Sequence, residues 1–201
     1  MENTVYTKIY APPHLNKREI LRYAGVRGDA PELEALIDAC IAEAEREVAC
    51  KVCFAYFSVK SDGETLDLGF TKTNSVHLRK NLLGCESIVL FAATVGLGID
   101  RLITRYSKVS PVKALIFQAI GAERIESLCE VFACDVQKEC DESGLTVRPR
   151  FSPGYGDLPL EIQKEIFAVL DCPRKIGLSL NSSLLMSPTK SVTAIIGITS
   201  E

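Results

Sequence analysis

One long helical pattern constrains the fold of this chain more than any other feature of its sequence. Ser110-Pro111 is a helix start signal, and apolar residues then recur at helical spacing as far as about Cys140. The apolar side of this predicted helix carries Ile125, Leu128, Cys129, Phe132 and Val136. Glu123, Glu126 and Glu130 share roughly the opposite side, where carboxylates are usually solvated. We therefore expect one face of the helix to be buried and the other to be exposed.

Predicted strands alternate irregularly with predicted helices, which favours an α+β fold over a parallel, doubly wound sheet. The strand patterns cover residues 5–11, 52–59, 64–70, 86–95 and 192–198, with a hairpin turn at Ser61-Asp62-Gly63. The other helical patterns cover residues 16–24, 76–83, a stretch from the start signal at 29–32 to about 48, and about 158–171, ended by Cys172-Pro173. Gly96-Leu97-Gly98 lacks the rest of a dinucleotide-binding fingerprint. The expected fold is a mainly antiparallel sheet flanked by helices.

Composition and charge narrow the possible function classes. The 201 residues are 47% hydrophobic and 24% charged, so residues 1–201 are expected to form a single compact domain. The net charge of −3 and the lack of a basic block argue against a nucleic acid partner. The longest apolar run, residues 88–99, is too short to span a membrane, and residues 1–6 lack the features of a signal peptide. We therefore expect a cytoplasmic protein.

The eight cysteines are expected to be reduced and mostly buried. Cys40, Cys129 and Cys134 lie in helical patterns, and Cys53 and Cys85 border apolar strands. Without a signal peptide the chain is not expected in an oxidising compartment, which disfavours disulfide bonds. Cys50-Lys51-Val52-Cys53 is a lone C-x-x-C with no second pair, so a structural role is favoured over metal or redox use. No metal site is expected.

Residues 150–159, with the sequence RFSPGYGDLP, bring groups suited to ligand binding into a short segment. Arg150 has a planar guanidinium that matches a carboxylate, and Gly154 and Gly156 allow backbone conformations that other residues avoid. Asp157 ahead of Pro159 is typical of an N-cap, so a helix is expected from about Leu158. For a Pro-Gly-x-Gly stretch alone, a surface turn ahead of a helix is the simpler interpretation.

This segment and a later one, residues 182–194, together resemble the activation (reactivation) domain of cobalamin-dependent methionine synthase. In that family an Arg-x-x-x-Gly-Tyr element, usually with Pro before the Gly, precedes a Met-x-Pro-x-x-Ser-Val element. Here the two elements run from Arg150 to Tyr155 and from Met186 to Val192, in that order and with a helical pattern between them. The resemblance is clear from about Ala114 to Ile198, and residues 1–113 are assigned by order and size. A chain of this length looks like a short, stand-alone form of the domain.

The resemblance implies an accessory role in reductive reactivation. In the family, methionine synthase whose cob(I)alamin has been oxidised to inert cob(II)alamin is restored when a reductant supplies an electron and S-adenosylmethionine supplies a methyl group. The implied cofactors are S-adenosylmethionine and a cobalamin carried by the partner protein. The implied partners are a cobalamin-binding methionine synthase and a flavodoxin-like electron donor. No zinc, homocysteine or folate site is visible in the sequence, so the chain is not expected to make methionine alone.

The resemblance also implies roles for particular residues. Arg150 would bind the carboxylate of the methionyl group, and Ser152 and Pro153 would contact the ligand through the backbone. Gly154 would also be a binding residue, and Tyr155 would face the reacting centre as the catalytic position. Glu126 aligns best with a family glutamate beside the ligand, with Glu123 as the next candidate. Met186-Ser187-Pro188 would help to wall the site. Arg148 is close enough to compete with Arg150, but the spacing to Tyr155 favours Arg150.

The chain also departs from the family pattern, which leaves two alternatives open. It has no tryptophan, so the aspartate of an early Asp-Trp-Thr-Pro-type segment has no counterpart. An aromatic pair in the terminal strand of long-form enzymes corresponds to about Ile196-Gly197, and their Cys-Pro-x-His becomes Leu158-Pro159-Leu160-Glu161. One alternative is a noncatalytic docking module for a corrinoid protein that does not bind S-adenosylmethionine. The other is reactivation of a different corrinoid methyltransferase.

Overall fold

The computed structural model of the chain describes residues 4–26 and 31–200. Its strands, in chain order, are β1 (Tyr6–Tyr10), β2 (Cys50–Ser58), β3 (Lys60–Ser61), β4 (Leu66–Asp67), β5 (Lys72–Thr73), β6 (Cys85–Thr94), β7 (Thr146–Val147), β8 (Ser179–Leu180), β9 (Met186–Ser187) and β10 (Ser191–Thr199). Its helices are α1 (Lys17–Tyr23), α2 (Pro31–Ala44), α3 (Val76–Asn81), α4 (Gly98–Tyr106), α5 (Pro111–Asp141), α6 (Gln163–Leu170) and α7 (Cys172–Ile176). A short 3-10 helix, Leu160–Ile162, leads directly into α6.

An antiparallel sheet of five strands, in the order β1-β2-β6-β10-β7, lies at the centre of the fold. Strand β6 occupies the middle and pairs with both β2 and β10 over most of its length. Its run of Ile88 to Thr94 is buried on both faces, which explains why the sequence is continuously apolar there. β3, β4 and β5 form a small second sheet, and β8 pairs with β9. The predicted α+β fold with a mainly antiparallel sheet is confirmed.

Alternate side chains of the central sheet build two separate cores. On one face, Val52, Phe91 and Ala194 pack with α1, α2, α4 and α5. On the other face, Cys53, Leu90 and Ile195 pack with α3, α6 and α7. The segment that follows β7 crosses from the sheet edge to this second face, where Phe151 and Leu158 are buried. This segment therefore lies beside the outer strands β10 and β7 of the sheet.

Helix α5 is the main cover of the first face. It spans 31 residues, and Pro111 at its start has no N–H that the first turn would leave unpaired. The ring of Phe132 lies with its centroid 5.2 Å from that of Phe54 and 4.8 Å from that of Phe91, so it joins α5 to β2 and β6. Within the residues that the structure describes, no helix is both long enough and apolar enough to cross a membrane.

The cysteines lie mostly where the sequence predicts. Cys40, Cys50, Cys53, Cys129, Cys140 and Cys172 are buried, Cys85 is half-buried, and all eight are free thiols. Cys134 is exposed instead, because it lies on the outer face of α5. Burial raises the pKa of Cys40 and Cys50, so these two thiols stay neutral and pack as small apolar groups.

Three predicted elements differ from the structure. The hairpin around Asp62 is formed by β3 and β4, since β2 ends at Ser58 and strand pairing after the turn covers only Leu66–Asp67. The predicted helix ending near Val48 stops at Ala44, and residues 29 and 30 of its start signal lie outside the described residues. The helix predicted from about Leu158 begins with the 3-10 turn and continues as α6.

The residue that ends α6 also differs from the prediction. Cys172-Pro173 does not terminate it, because α6 ends at Leu170 and Asp171 adopts a left-handed conformation with φ 50°. Cys172 and Pro173 begin the next helix, α7. Proline is well tolerated in a first helical turn, where its missing N–H has no partner to lose.

Candidate functional site

A groove of about 300 Å³ lies between α5, the start of β10 and the segment that follows β7. It is lined by Glu126, Arg150, Ser152, Tyr155 and Val192. The structure thus brings together four of the residues singled out in the sequence, although Glu126 is 24 residues from Arg150 along the chain. A volume of this size is at the lower end of the range for small-molecule pockets, about 300–1,000 Å³.

The segment that follows β7 pairs with β10, and this pairing sets which of its side chains face the groove. Phe151 and Ile195 exchange two backbone hydrogen bonds, of 2.8 and 2.9 Å, so the segment runs as an extended neighbour of β10. Successive side chains of an extended chain point to opposite sides. Phe151 therefore enters the second core, while Arg150 and Ser152 lie on the groove side with Val192.

Arg150 and Glu126 form an ion pair across the groove. The Nη2 group of Arg150 donates to Oε2 of Glu126, and the two side chains keep 25% and 42% of their surface exposed. The other terminal nitrogen, Nη1, is buried and has no hydrogen-bond partner among the described residues. Turning this nitrogen toward a bound anion would break no existing hydrogen bond. The guanidinium thus retains unused donor capacity.

A neutral thiol lies behind this guanidinium. Cys129 is fully buried on α5, and burial raises the pKa of its thiol to about 12, although Arg150 acts in the opposite direction. An uncharged thiol does not compete with Glu126 or with an added anion for the guanidinium. Glu126 pairs directly with the positive charge of Arg150, and Glu130 also acts on it electrostatically.

Tyr155 is held in a tight turn but keeps most of its ring exposed. Its backbone N–H donates to the Ser152 carbonyl at 3.1 Å, and its own carbonyl accepts from the Leu158 N–H at 3.1 Å. Its ring packs edge-on against Phe151, with the centroids 5.3 Å apart. The side chain of Tyr155 is nevertheless 69% exposed, so the ring presents a face to both the groove and the solvent.

Pro153 and Gly154 were predicted as ligand contacts, but neither lines the groove. Pro153 is buried beneath the turn, and Gly154 adopts φ +85° and donates its N–H to the Leu158 carbonyl at 2.9 Å. Only glycine adopts this backbone conformation without strain, so the predicted conformational role of Gly154 is confirmed. The two residues shape the turn that carries Tyr155.

Asp157 has a different partner from the one the sequence indicates. It was expected to cap the helix that follows it, yet its carboxylate accepts hydrogen bonds from Ser75 Oγ, Val76 N (2.7 Å) and His77 N (3.1 Å). These groups form the start of α3, whose N-cap is Ser75. These hydrogen bonds lower the pKa of Asp157 to about 2. The one from Ser75 contributes most, and those from the two backbone N–H groups contribute less. The N-cap prediction for Asp157 was therefore wrong about the helix, because it assumed a local partner.

The predicted solvated face of α5 is only partly solvated. Glu123 is 3% exposed, and its Oε1 accepts hydrogen bonds from Asn16 N (2.9 Å) and Ser127 Oγ (2.8 Å). The neighbouring Arg124 is fully buried and donates to the Pro13 carbonyl. The chain ahead of α1 packs over this part of α5, which no helical pattern reveals. Glu123 thus anchors the N-terminal segment and does not line the groove.

Only part of the predicted second element lines the groove. Val192 lines the groove, whereas Met186 and Ser187 form strand β9 and do not line it, and Pro188 follows in the turn before β10. Asp100 at the start of α4 fixes this turn by accepting from the backbone N–H (2.9 Å) and the hydroxyl of Thr189. Val192 was not among the predicted site residues, although it closes the Met-x-Pro-x-x-Ser-Val element and faces the same side of β10 as Ala194.

Two other positions discussed in the sequence lie away from the groove. The guanidinium of Arg148 donates to the Leu83 carbonyl at 3.2 Å, so Arg148 does not take the place of Arg150. Ile196 is buried in the first core, and a side chain at Gly197 would collide with Cys85 and Leu82. No group of three or more His, Cys, Asp or Glu side chains that could hold a metal ion occurs in the described part of the chain.

Comparison with known proteins identifies the family of the chain. Residues 80–201 match the family model described as the vitamin B12 dependent methionine synthase, activation domain. No curated protein gives a significant match. Among solved structures, the chain is similar to the crystal structure of the MetH reactivation domain bound to AdoHcy, with a TM-score of 0.69 and 15% sequence identity over 96% of this chain and 78% of that chain. At this identity the structural similarity concerns the fold.

Proposed function

The chain belongs to the family of vitamin B12 dependent methionine synthase activation domains, and on this basis we propose that its groove binds S-adenosylmethionine for the reactivation of a partner methionine synthase. The similar solved domain is bound to AdoHcy, which is S-adenosylmethionine without the transferable methyl group. The proposed partner carries the cobalamin, and a flavodoxin-like protein is the proposed electron donor.

The observation that carries the proposal is the pairing of Arg150 with Glu126 inside one groove. An α-amino acid group bears a carboxylate and an ammonium on the same carbon. A guanidinium and a carboxylate held side by side are complementary to that pair of charges. Arg150 would bind the ligand carboxylate through its unused donors, and Glu126 would accept from the ammonium.

The remaining lining residues fit the rest of the ligand. The hydroxyl of Ser152 offers one donor and two acceptor sites for a polar group, and Val192 supplies an apolar wall. The exposed ring of Tyr155 can lie against a sulfonium, because the negative face of an aromatic ring attracts a cation. The groove thus has a charged end, a polar group and an aromatic surface within reach of one small molecule.

The part of these residues in the reaction is positioning. S-adenosylmethionine supplies the methyl group, and the cobalamin of the partner, once reduced, accepts it. Arg150 and Glu126 would fix the amino acid end, and Tyr155 would hold the sulfonium toward the solvent-exposed side from which a partner approaches. No proton transfer by the chain is required, so its contribution is the orientation of the ligand.

Calorimetric titration of S-adenosylmethionine tests this proposal. We expect saturable binding to the wild type, and a loss of about 1.5–3 kcal/mol in Arg150→Ala, the range for hydrogen bonds to a charged group. Arg174→Ala is the matched control, because Arg174 on α7 is an exposed arginine that pairs with Asp171 and its truncation should leave the affinity unchanged. The titration should be repeated with a corrinoid protein in its cob(II)alamin state. If the wild type does not bind in either setting, the proposal is wrong.

One observation favours the docking-module alternative. Ile196 and Gly197 stand at the positions of an aromatic pair in long-form enzymes, and both are packed inside the fold, so this part of β10 supplies no aromatic contact to the groove. If the chain only caps a corrinoid protein and does not bind S-adenosylmethionine, the wild type and Arg150→Ala should have the same affinity for that partner. The other alternative is that the chain reactivates a different corrinoid methyltransferase. A pull-down with several corrinoid proteins, including methyltransferases other than methionine synthase, distinguishes it from the main proposal.

A further inference from the structure

Helix α3 contacts the site segment at both ends, although it lies far from that segment in the sequence. The helix comprises only six residues, Val76–Asn81, and precedes Arg150 by about seventy positions. Its N-terminal end meets Asp157, just after the Tyr155 turn. Its C-terminal end meets Pro149, just before Arg150. Every residue of the segment that lines the groove therefore falls between two points of attachment to α3.

The N-terminal attachment consists of three hydrogen bonds to one carboxylate. Asp157 Oδ2 accepts from Val76 N at 2.7 Å, and Oδ1 accepts from His77 N at 3.1 Å and from the hydroxyl of Ser75. The first N–H groups of a helix have no partner within the helix itself. Asp157 therefore satisfies donors of α3 and at the same time ties residue 157 to a fixed position.

The C-terminal attachment is a single hydrogen bond from a side chain to the backbone. The Nδ2 group of Asn81 donates to the Pro149 carbonyl at 3.0 Å. Pro149 directly precedes Arg150, so this acceptor lies next to the first groove residue of the segment. This bond fixes the chain at the point where it leaves β7 for the groove.

A close packing contact adds to the N-terminal attachment. Gly156 adopts φ +59°, and a Cβ atom at this position would lie 2.3 Å from Nδ1 of His77. The ring of His77 thus covers the backbone at Gly156 at a distance that only glycine permits. The backbone that directly follows Tyr155 is held against α3 by this contact as well as by Asp157.

Helix α3 is itself firmly placed. Leu78 is fully buried and Leu82 nearly so, both within the second core, and Ser75 is buried as well. Arg79 donates to the Glu64 carbonyl at 2.6 Å, which joins the helix to the β3–β4 hairpin. A short helix anchored in this way provides a rigid support for a segment that otherwise consists of turns.

We propose that α3 pre-orders the segment of residues 149–157 for ligand binding, with Asp157 and Asn81 as positioning residues. The inference rests on the proposed function insofar as S-adenosylmethionine is the ligand. Holding Arg150, Ser152 and Tyr155 in place before binding removes much of the entropy cost of ordering them on binding. Neither Asp157 nor Asn81 lines the groove, so both act through the residues that do.

Two measurements on Asp157→Ala, Asn81→Ala and the milder Asp157→Asn test this inference. The first is backbone amide hydrogen exchange over residues 149–157 in the ligand-free protein, with β6 as the internal reference. The second is the affinity for S-adenosylmethionine. The control variant is Asp67→Ala, because Asp67 also accepts from a backbone N–H, that of Gly69 at 2.9 Å, in a turn outside the segment.

We expect faster exchange over residues 149–157 in Asp157→Ala, an unchanged β6, and a dissociation constant raised about tenfold, the equivalent of losing one helix cap. Asn81→Ala should show smaller changes in the same two quantities. Asp157→Asn should lie between Asp157→Ala and the wild type in both, and Asp67→Ala should match the wild type. Unchanged exchange in both alanine variants would overturn the inference, and so would faster exchange with an unchanged affinity. If the wild type fails to bind S-adenosylmethionine, the proposed function fails, and the exchange data alone then decide whether α3 orders the segment.

Discussion

Arg150 and Glu126 are joined by an ion pair that links the segment after β7 to the middle of α5. Both side chains keep a substantial exposed fraction, so solvent screens their attraction. The pair therefore contributes little to folding stability. Its position across the groove instead places two opposite charges where one zwitterionic group could contact both.

The Glu126→Ala variant should separate binding from stability. Exposed or half-exposed ion pairs contribute up to about 1 kcal/mol, so we expect the free energy of unfolding to change by no more than that. The affinity for S-adenosylmethionine should fall, because the ligand ammonium loses its acceptor. Urea denaturation and calorimetric titration measure the two effects. A large loss of stability with unchanged affinity would show that Glu126 has only a structural role.

The Glu123→Ala variant should show the reverse pattern. Glu123 is buried and accepts hydrogen bonds from Asn16 N and Ser127 Oγ, which would lose their acceptor. Losing hydrogen bonds to a charged group costs about 1.5–3 kcal/mol. We therefore expect a clearly lower free energy of unfolding than in Glu126→Ala, with nearly wild-type ligand affinity. Equal stability of the two variants would contradict the burial of Glu123.

The Asp157 contact should weaken at low pH. Because the pKa of Asp157 in the folded chain is lowered to about 2, its carboxylate binds protons less readily than in the unfolded chain, where the ordinary value is about 3.8. Its stabilising effect is therefore fully present above about pH 4 and is lost as the pH falls toward 2. We expect the stability difference between the wild type and Asp157→Ala to shrink over this range. Denaturation at several pH values measures it, and a difference that stays constant would exclude this role of the carboxylate.

The Phe132→Ala variant should destabilise the fold strongly. Phe132 is almost fully buried and joins α5 to β2 and β6 through Phe54 and Phe91. Removing a buried aromatic ring costs about 3–5 kcal/mol, through lost apolar burial and the cavity left behind. Thermal and urea denaturation measure the loss. Val131→Ala is the matched control, since Val131 on the outer side of α5 is partly exposed and its truncation should have a small effect.

Local patterns in the sequence were sufficient for the main elements of the fold. The α5 helix and the β6 and β10 strands follow from the spacing of apolar residues, because burial of one face requires a helical period and burial of both faces requires a continuous apolar run. The turn around Gly154 was also predictable, since few residues other than glycine adopt its positive φ. The pairing of β4 with β5 was not predictable, because strands of two residues carry no periodic signal.

The sequence by itself determined which residue types are available for a site: Arg150, Ser152 and Tyr155 lie within six positions, and their spacing resembles one family. The resemblance ranked Glu126 ahead of Glu123, but only the tertiary structure decided that Glu126 meets Arg150, that Val192 completes the groove, and that Asp157 accepts from the start of α3 and does not cap the helix that follows it. The physical reason is that hydrogen bonds and ion pairs act over a few ångströms in space. A local pattern shows that a carboxylate can cap or pair, but the packing of the chain selects its partner.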